Sequence, residues 1–174
     1  MLFTTFLAAL CFTSMASATA LPKRQSSIWE SPFSGSILSP TEGQLVLPGA
    51  DVPFEYAVSS WCEPAFAPFT VYLTSGANPP AFENVTATGA LADGAYVLEF
   101  GKFVVSRFGL PTPSPPPPTT LTIPTIEELN VDPATASVPN FFITVLEEFD
   151  GCPGDIPVEY SLTSVPINLS VSDL

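Results

Sequence analysis

Large apolar side chains recur at every second position in short segments of this chain. In the segment 52–58 they are Val52, Phe54, Tyr56 and Val58. The side chains of the segment 159–164 also alternate, so its even-numbered residues project from one face of an extended strand and its odd-numbered residues from the other. A period of two places successive side chains on opposite faces of an extended strand. The pattern therefore predicts short strands, each with a mainly apolar face.

Turn-forming segments separate the predicted strands, as at 48–51, 92–94 and 150–155. The chain also contains 21 prolines, which disfavour long helices because each interior proline removes a backbone hydrogen bond. The predicted strands are Ser36–Leu38, Gln44–Leu47, Val52–Ser59, Phe69–Thr74, Ala95–Val105, Leu121–Ile123, Phe141–Phe149 and Val158–Val165. About seven or eight such strands bury their apolar faces as an antiparallel β-sandwich. We therefore predict an all-β fold of this class.

The first 24 residues are interpreted as processing signals. Residues 1–20 carry an uncharged apolar run that ends in Ala18-Thr19-Ala20, a pattern that signal peptidase accepts. We expect cleavage after Ala20, with a cut after Ala18 or a retained membrane anchor as alternatives. Lys23 and Arg24 then offer a kexin-type protease a dibasic site in an extended segment. Residues 21–24 are thus a predicted propeptide, and 25–174 a predicted single domain.

The chain is strongly acidic. Four Lys and Arg stand against 17 Asp and Glu, a formal net charge of −13. Loss of Lys23 and Arg24 leaves 2 − 17 = −15. This charge disfavours nucleic acid and anionic membranes as partners, and we expect no membrane association after processing. With 46% hydrophobic residues, a folded extracellular domain is predicted rather than disorder.

Two cysteines, Cys62 and Cys152, remain once Cys11 leaves with the signal peptide. An even pair in an oxidising compartment predicts one disulfide. Closing a loop of about 90 residues would contribute roughly 4 kcal/mol to stability. Metal binding or nucleophilic chemistry is a weaker interpretation, because the chain has no histidine. Trp61 would lie beside the bridge, and we interpret it as core packing rather than as a sugar-stacking residue.

Two sequons are present, Asn84-Val85-Thr86 and Asn168-Leu169-Ser170. Neither has proline in the middle position, so both Asn84 and Asn168 are predicted acceptors for N-glycosylation in a secreted protein.

The segment 111–120 is dominated by proline, with threonine and serine between. It is predicted to be an extended polyproline II loop. Because the predicted disulfide joins residues on its two sides, we interpret it as a connection within one domain. An interdomain linker or a docking ligand for another protein are the alternatives.

The motif Ile37-Leu38-Ser39-Pro40-Thr41-Glu42-Gly43-Gln44, followed by Leu47-Pro48-Gly49-Ala50-Asp51-Val52-Pro53-Phe54-Glu55-Tyr56, resembles the opening of an immunoglobulin-like domain found in secreted and wall-attached fungal proteins. That family includes yeast cell-wall synthesis proteins, and it often has Trp where this chain has Tyr56. The whole chain is also similar to small secreted proteins of mushroom-forming fungi. The resemblance implies an immunoglobulin-like sandwich in the extracellular space, and it supplies no catalytic residues.

The chain has no histidine, which excludes catalytic nucleophiles that depend on histidine and zinc sites that contain it. No Gly-rich phosphate loop is present, so no nucleotide cofactor is expected. Paired carboxylates are the remaining catalytic arrangement. The candidates are Glu55, Glu99, Glu147, Glu148, Asp150 and Asp155. Glu147 and Glu148 would face opposite ways on a strand, so we interpret these acids as a solvated rim. Calcium binding by Asp150 and Asp155 is a further alternative, although their spacing fits no calcium-loop pattern.

The sequence therefore predicts a secreted protein without enzymatic activity or cofactor, located at the cell wall or in the surrounding matrix. It is expected either to bind wall polysaccharide or to contribute structurally to the wall. The alternatives are a small carboxylate-dependent carbohydrate hydrolase and an effector that binds another extracellular protein.

Overall fold

The structure, a computed structural model, describes residues 28–62, 64–113, 115–129, 140–152 and 158–170. The predicted processing residues Ala20, Lys23 and Arg24, together with Asp155, lie outside the described residues. Within them the chain forms strands β1 (Trp29–Glu30), β2 (Ser36–Ser39), β3 (Gln44–Val46), β4 (Asp51–Pro53), β5 (Glu55–Ala57), β6 (Phe66–Gly76), β7 (Leu98–Ser106), β8 (Thr120–Thr122), β9 (Asn140–Asp150) and β10 (Val158–Leu169), a 3-10 turn (Phe82–Asn84) and helix α1 (Ile126–Leu129). The predicted all-β class is confirmed.

The larger sheet has the strand order β1-β10-β9-β6-β7. β9 and β10 form a long antiparallel hairpin, and β6 pairs antiparallel with both β9 and β7. β1 and β3 run parallel to β10, β1 beside its start at Glu159 and β3 beside its end at Leu169. The sequence did not predict β1, because two residues are too few to show alternation.

The predicted strand Val52–Ser59 is interrupted at Phe54, and its two halves belong to two different small sheets. β4 pairs antiparallel with β8, whereas β5 pairs antiparallel with β2. Between them the Phe54 amide donates a hydrogen bond of 2.9 Å to the Thr119 carbonyl. The predicted alternation is confirmed, because Val52 and Phe54 are buried and the half-buried Tyr56 and Val58 pack on the same core.

The main core lies between the larger sheet and the two small sheets. Both layers contribute large apolar side chains to it, so the architecture is a β-sandwich. Its fully or nearly fully buried members include Phe69, Val71 and Leu73 of β6, Phe141, Ile143 and Val145 of β9, and Leu121 and Ile123 from the small layer.

The outer face of the larger sheet is also covered, by the segment 82–96 that precedes β7. Val85 and Leu91 of this segment pack with Tyr72, Leu146 and Tyr160 in a second apolar cluster. Both faces of β10 are therefore buried at Glu159–Ser161. The alternation in 159–164 separates two packed faces, not a core face from a solvent face.

Two tight turns lie in the segment that carries the family resemblance. Gln44 donates its amide to Thr41 at 3.0 Å, and Ala50 donates to Leu47 at 3.1 Å. The third residue of each turn is a glycine, Gly43 or Gly49, with φ of 70° or 77°. Only glycine adopts this conformation without steric cost. The immunoglobulin-like identity of the sandwich stays a prediction.

The predicted disulfide between Cys62 and Cys152 is present, with 5.0 Å between the two Cα atoms. The Pro-rich segment 111–120 connects β7 of the larger sheet to β8 of the small layer. Strands on both sides of it contribute to the same core. Among the described residues, no helix has the length and apolar character needed to span a membrane.

Candidate functional site

One end of the sandwich carries the exposed aromatic side chains of the described residues. Trp29 is 56% exposed, Phe33 47%, Phe66 44% and Phe108 72%. At this end β5, β7 and β9 finish while β6 and β10 begin. Folded domains usually cover large aromatic rings. Of these four, Trp29 and Phe33 belong to the candidate site described below, whereas Phe66 begins β6 and Phe108 follows β7 at the same end.

Trp61 is half-buried in the loop between β5 and β6 and stacks on Phe33. Their ring centroids are 4.3 Å apart, and the ring planes differ by 29°. The indole Nε1 of Trp61 donates a hydrogen bond of 2.9 Å to the Oε2 atom of Glu159. Trp61 belongs to neither apolar cluster. The prediction of core packing is therefore wrong, because the loop carries the indole to the rim of the sandwich.

Strand β1 places Trp29 beside this pair. Trp29 lies opposite Glu159 in the parallel pairing of β1 with β10. Directly opposed residues project from the same face of a sheet, so Trp29 and Glu159 share one face. The preceding residue, Ile28, packs in the outer apolar cluster on the other face. We call Trp29, Phe33, Trp61 and Glu159 the aromatic site.

The loops around the aromatic site hold unusual backbone conformations. Cys62, next to Trp61, has φ of 57°, and Phe108 has φ of 56°. These are the non-glycine residues with positive φ in the part of the chain that the structure describes. A left-handed conformation costs energy at such residues and persists only where the surroundings fix it. The Cys62–Cys152 bridge supplies that restraint for the loop carrying Trp61.

Glu159 also lies close to the disulfide. One of its carboxylate oxygens and the sulfur atoms of Cys62 and Cys152 lie within 4.8 Å of one another. Since the two sulfurs are bonded to each other, neither is a thiolate that could ligate a metal ion. The carboxylate already accepts the Trp61 N–H, so we interpret the group as structural.

A second carboxylate, Glu147 of β9, is fully buried on the inner face of the larger sheet. It accepts hydrogen bonds from the Tyr56 hydroxyl at 2.7 Å, the Ser59 amide at 2.9 Å and the Gly35 amide at 3.0 Å. Arg107 approaches from the end of β7 and donates to the Ser59 carbonyl. Glu147 therefore ties β5 and the two loops flanking the small layer to the larger sheet.

Burial dominates the protonation of this cluster. Removal from water raises the pKa of Glu147, although the hydrogen bonds from Tyr56, Ser59 and Gly35 and the charge of Arg107 act in the opposite direction. Burial, followed by the nearby Glu147 carboxylate, raises the pKa of Tyr56. Tyr56 therefore stays a hydrogen-bond donor well above neutral pH.

The predicted acidic rim is only partly present. Glu148 faces away from Glu147, as predicted, and its carboxylate pairs with the Lys102 ammonium at 2.7 Å on the outer face. Asp150, Glu55 and Glu99 lie on exposed positions of their strands. Glu147 itself contradicts the rim interpretation, because it lies on the same face of β9 as Ile143 and Val145, which point into the core. Its enclosed carboxylate has no open path to a polysaccharide.

The two predicted glycosylation residues lie in different settings. Asn168 is exposed near the end of β10, and its side-chain amide donates to the Gly43 carbonyl at 2.9 Å. Asn84 ends the 3-10 turn and accepts the Ala81 amide at 3.1 Å through Oδ1. Asn84 is partly exposed, and glycosylation at both residues stays a prediction.

An open, mainly apolar groove of about 420 Å³ lies at the opposite end of the sandwich. Val97, Leu98, Ile123 and Pro124 contribute to its lining, with Glu128 as the charged member. The Glu128 carboxylate accepts hydrogen bonds from the amide and hydroxyl of Thr125, and these lower its pKa. The Glu128 carboxylate therefore caps the start of α1.

Comparisons with known protein families, with curated proteins and with solved structures find no match to this chain.

Proposed function

We propose that this protein is a secreted, non-catalytic binding protein of the cell wall or extracellular matrix, and that it holds polysaccharide at the aromatic site. The observation that carries the proposal is the exposure of Phe33, which stacks on Trp61, and of Trp29, which lies opposite Glu159, the partner of Trp61. Sugar rings present an apolar C–H face that packs on aromatic rings, while their hydroxyls remain free to hydrogen-bond.

The rigidity of the aromatic site supports binding rather than accidental exposure. Strand pairing holds the backbone at Trp29, the disulfide-anchored loop and Glu159 hold Trp61, and Phe33 stacks on Trp61. Rings that are already fixed lose little conformational freedom when a ligand arrives. A preformed site of this kind suits a repeating, flat-faced polymer.

The strand order also favours an immunoglobulin-like domain, which agrees with the fungal resemblance of the segment 37–56. In variable-type immunoglobulin domains the strands G, F, C and C′ follow one another across a sheet. The order β10-β9-β6-β7 has the same arrangement. Such domains commonly bind ligands through the loops at one end, where the aromatic site lies.

The alternative of a carboxylate hydrolase has less support. Glu147 is enclosed by three donors, and Glu148 lies on the opposite face. If no polysaccharide binds, the remaining alternative is an effector that binds another extracellular protein.

Co-sedimentation with insoluble glucan and chitin tests the proposal. We expect Trp29→Ala and Phe33→Ala each to weaken binding about tenfold. Phe66→Ala is the matched control, because Phe66 is 44% exposed against 47% for Phe33 but lies outside the aromatic site. Failure of the protein to bind any polysaccharide, or equal losses in all three variants, would refute the proposal.

A further inference from the structure

We propose that an N-linked glycan on Asn168 packs over Leu45 and Leu47 and covers an apolar patch on the outer face of the larger sheet. This inference rests on glycosylation of Asn168, which the sequon Asn168-Leu169-Ser170 predicts. It is independent of polysaccharide binding, because Asn168 lies near the end of β10 and Glu159 of the aromatic site lies near its start. The glycan gains a structural role, since it stabilises the folded domain.

The patch belongs to β3 and the residue that follows it. Leu45 is 67% exposed and Leu47 53%, whereas Val46 between them is 3% exposed and packs in the main core. Leu45 is the most exposed leucine in the part of the chain that the structure describes. Single exposed leucines are common on protein surfaces. Here, however, the alternation places two of them on the same side of one short segment.

Asn168 shares this side of the sheet. It lies directly opposite Leu45 in the parallel pairing of β10 with β3, and paired strands are about 4.8 Å apart. Asn168 is exposed, while its neighbours Ile167 and Leu169 are buried on the inner face. A sugar attached to Asn168 therefore begins one strand spacing from Leu45.

The side-chain amide of Asn168 is already held beside β3. Its Nδ2 atom donates a hydrogen bond of 2.9 Å to the Gly43 carbonyl. An asparagine amide carries two N–H groups, so glycosylation replaces one hydrogen and the other can keep this bond. Gly43 also leaves space next to the attachment atom, because a Cβ atom there would lie 3.6 Å from Nδ2. The amide is therefore oriented without crowding the first sugar.

The first sugar of an N-linked glycan, N-acetylglucosamine, has the chemistry that such a patch needs. Its C–H face and acetyl methyl group pack on aliphatic side chains, while its hydroxyls stay in water. Covering apolar surface stabilises a fold in proportion to the area removed from water. The second sequon residue, Asn84, offers a contrast, because its apolar neighbours Phe82 and Val85 already pack in the outer apolar cluster. Asn84 therefore provides the matched control.

Mass spectrometry of the secreted protein measures occupancy at Asn168, and an unmodified Asn168 would overturn the inference. Melting temperatures of the wild type, Asn168→Gln, Leu45→Ser and the double variant then form a double-mutant cycle. We expect Asn168→Gln to lower the melting temperature by about 2–4 °C when Leu45 is present, and by no more than about half as much when it is serine. The cycle cancels the lost hydrogen bond to Gly43, because Asn168→Gln removes it in both backgrounds.

Asn84→Gln, in contrast, should have the same effect whether residue 45 is leucine or serine. Equal effects of Asn168→Gln in the two backgrounds, or no effect in either, would overturn the inference. Sedimentation velocity tests the competing occupant of the patch. A dimer of the glycosylated protein that dissociates on Leu45→Ser would show that a second copy of the chain, rather than the glycan, covers Leu45.

Discussion

The phenolic hydroxyl of Tyr56 donates a hydrogen bond of 2.7 Å to the buried carboxylate of Glu147, 91 positions away in the chain. Tyr56 belongs to the small layer and Glu147 to the larger sheet, so the contact joins the two layers of the sandwich. The amides of Gly35 and Ser59 donate to the same carboxylate. One acidic side chain therefore satisfies donors from three separate segments.

Glu147→Ala should destabilise the protein by about 3–5 kcal/mol, because it leaves three buried donors without an acceptor. Tyr56→Phe removes a single donor and should cost about 1.5–3 kcal/mol, in the range for a hydrogen bond to a charged group. Urea unfolding followed by circular dichroism measures both. Glu148→Gln, which breaks only an exposed ion pair, should cost less than about 1 kcal/mol. Similar losses for Glu147→Ala and Glu148→Gln would contradict the structural role of Glu147.

Stability should increase as the solution becomes acidic. Burial raises the pKa of Glu147 in the folded protein above the ordinary value of 4.5. The folded state therefore binds the proton more tightly than the unfolded state. This contribution to stability is fully present below about pH 4.5 and is lost as the pH rises through the raised pKa.

Melting temperatures of the wild type and of Glu147→Gln, measured across this pH range, test the prediction. The amide cannot ionise, so the variant should lack this part of the pH dependence while retaining the general effect of the other acidic residues. Parallel curves for the two proteins would show that Glu147 does not titrate as described.

Gly35→Ala should destabilise the protein by about 1–3 kcal/mol. Gly35 is buried, and a Cβ atom at this position would overlap the carbonyl oxygen of Ala57 and the phenol of Tyr56. The backbone would have to move away and weaken the hydrogen bond from the Gly35 amide to Glu147. Chemical denaturation provides the measurement, with Ser34→Ala at the exposed neighbouring position as control. No difference between the two variants would argue against this close packing.

Replacing both Cys62 and Cys152 with serine should lower the free energy of unfolding by about 4 kcal/mol, since the bridge closes a loop with a sequence separation of 90. The same change should weaken polysaccharide binding, because the loop carrying Trp61 loses its anchor. Binding must be measured where the variant is still folded. Undiminished affinity there would show that the aromatic site does not depend on the bridge.

Local alternation was enough to predict most of the sheet. Each of the eight predicted segments overlaps at least one strand of the structure, because its side chains alternate with a period of two. Alternation also contained the signal for Glu147, which occupies the same parity as Phe141, Ile143 and Val145 in β9. Because Glu147 is charged, it was interpreted as part of a solvated rim. In the structure, three donors from distant segments stabilise its buried carboxylate.

The aromatic site was less predictable from the sequence. Trp29, Phe33 and Trp61 show no shared period, and Glu159 is 98 positions from Trp61. Their proximity depends on the parallel pairing of β1 with β10 and on the path of two loops, which no local pattern specifies. The split of 52–58 at Phe54 has a similar origin, because it depends on which partner strand lies beside each half.

The chain contains two tryptophans, and both belong to the aromatic site. Indole emission responds to the polarity around the ring and to nearby quenching groups, and the disulfide begins at the residue after Trp61. The intrinsic fluorescence of the unlabelled protein therefore reports on this one surface, without background from tryptophans elsewhere in the fold.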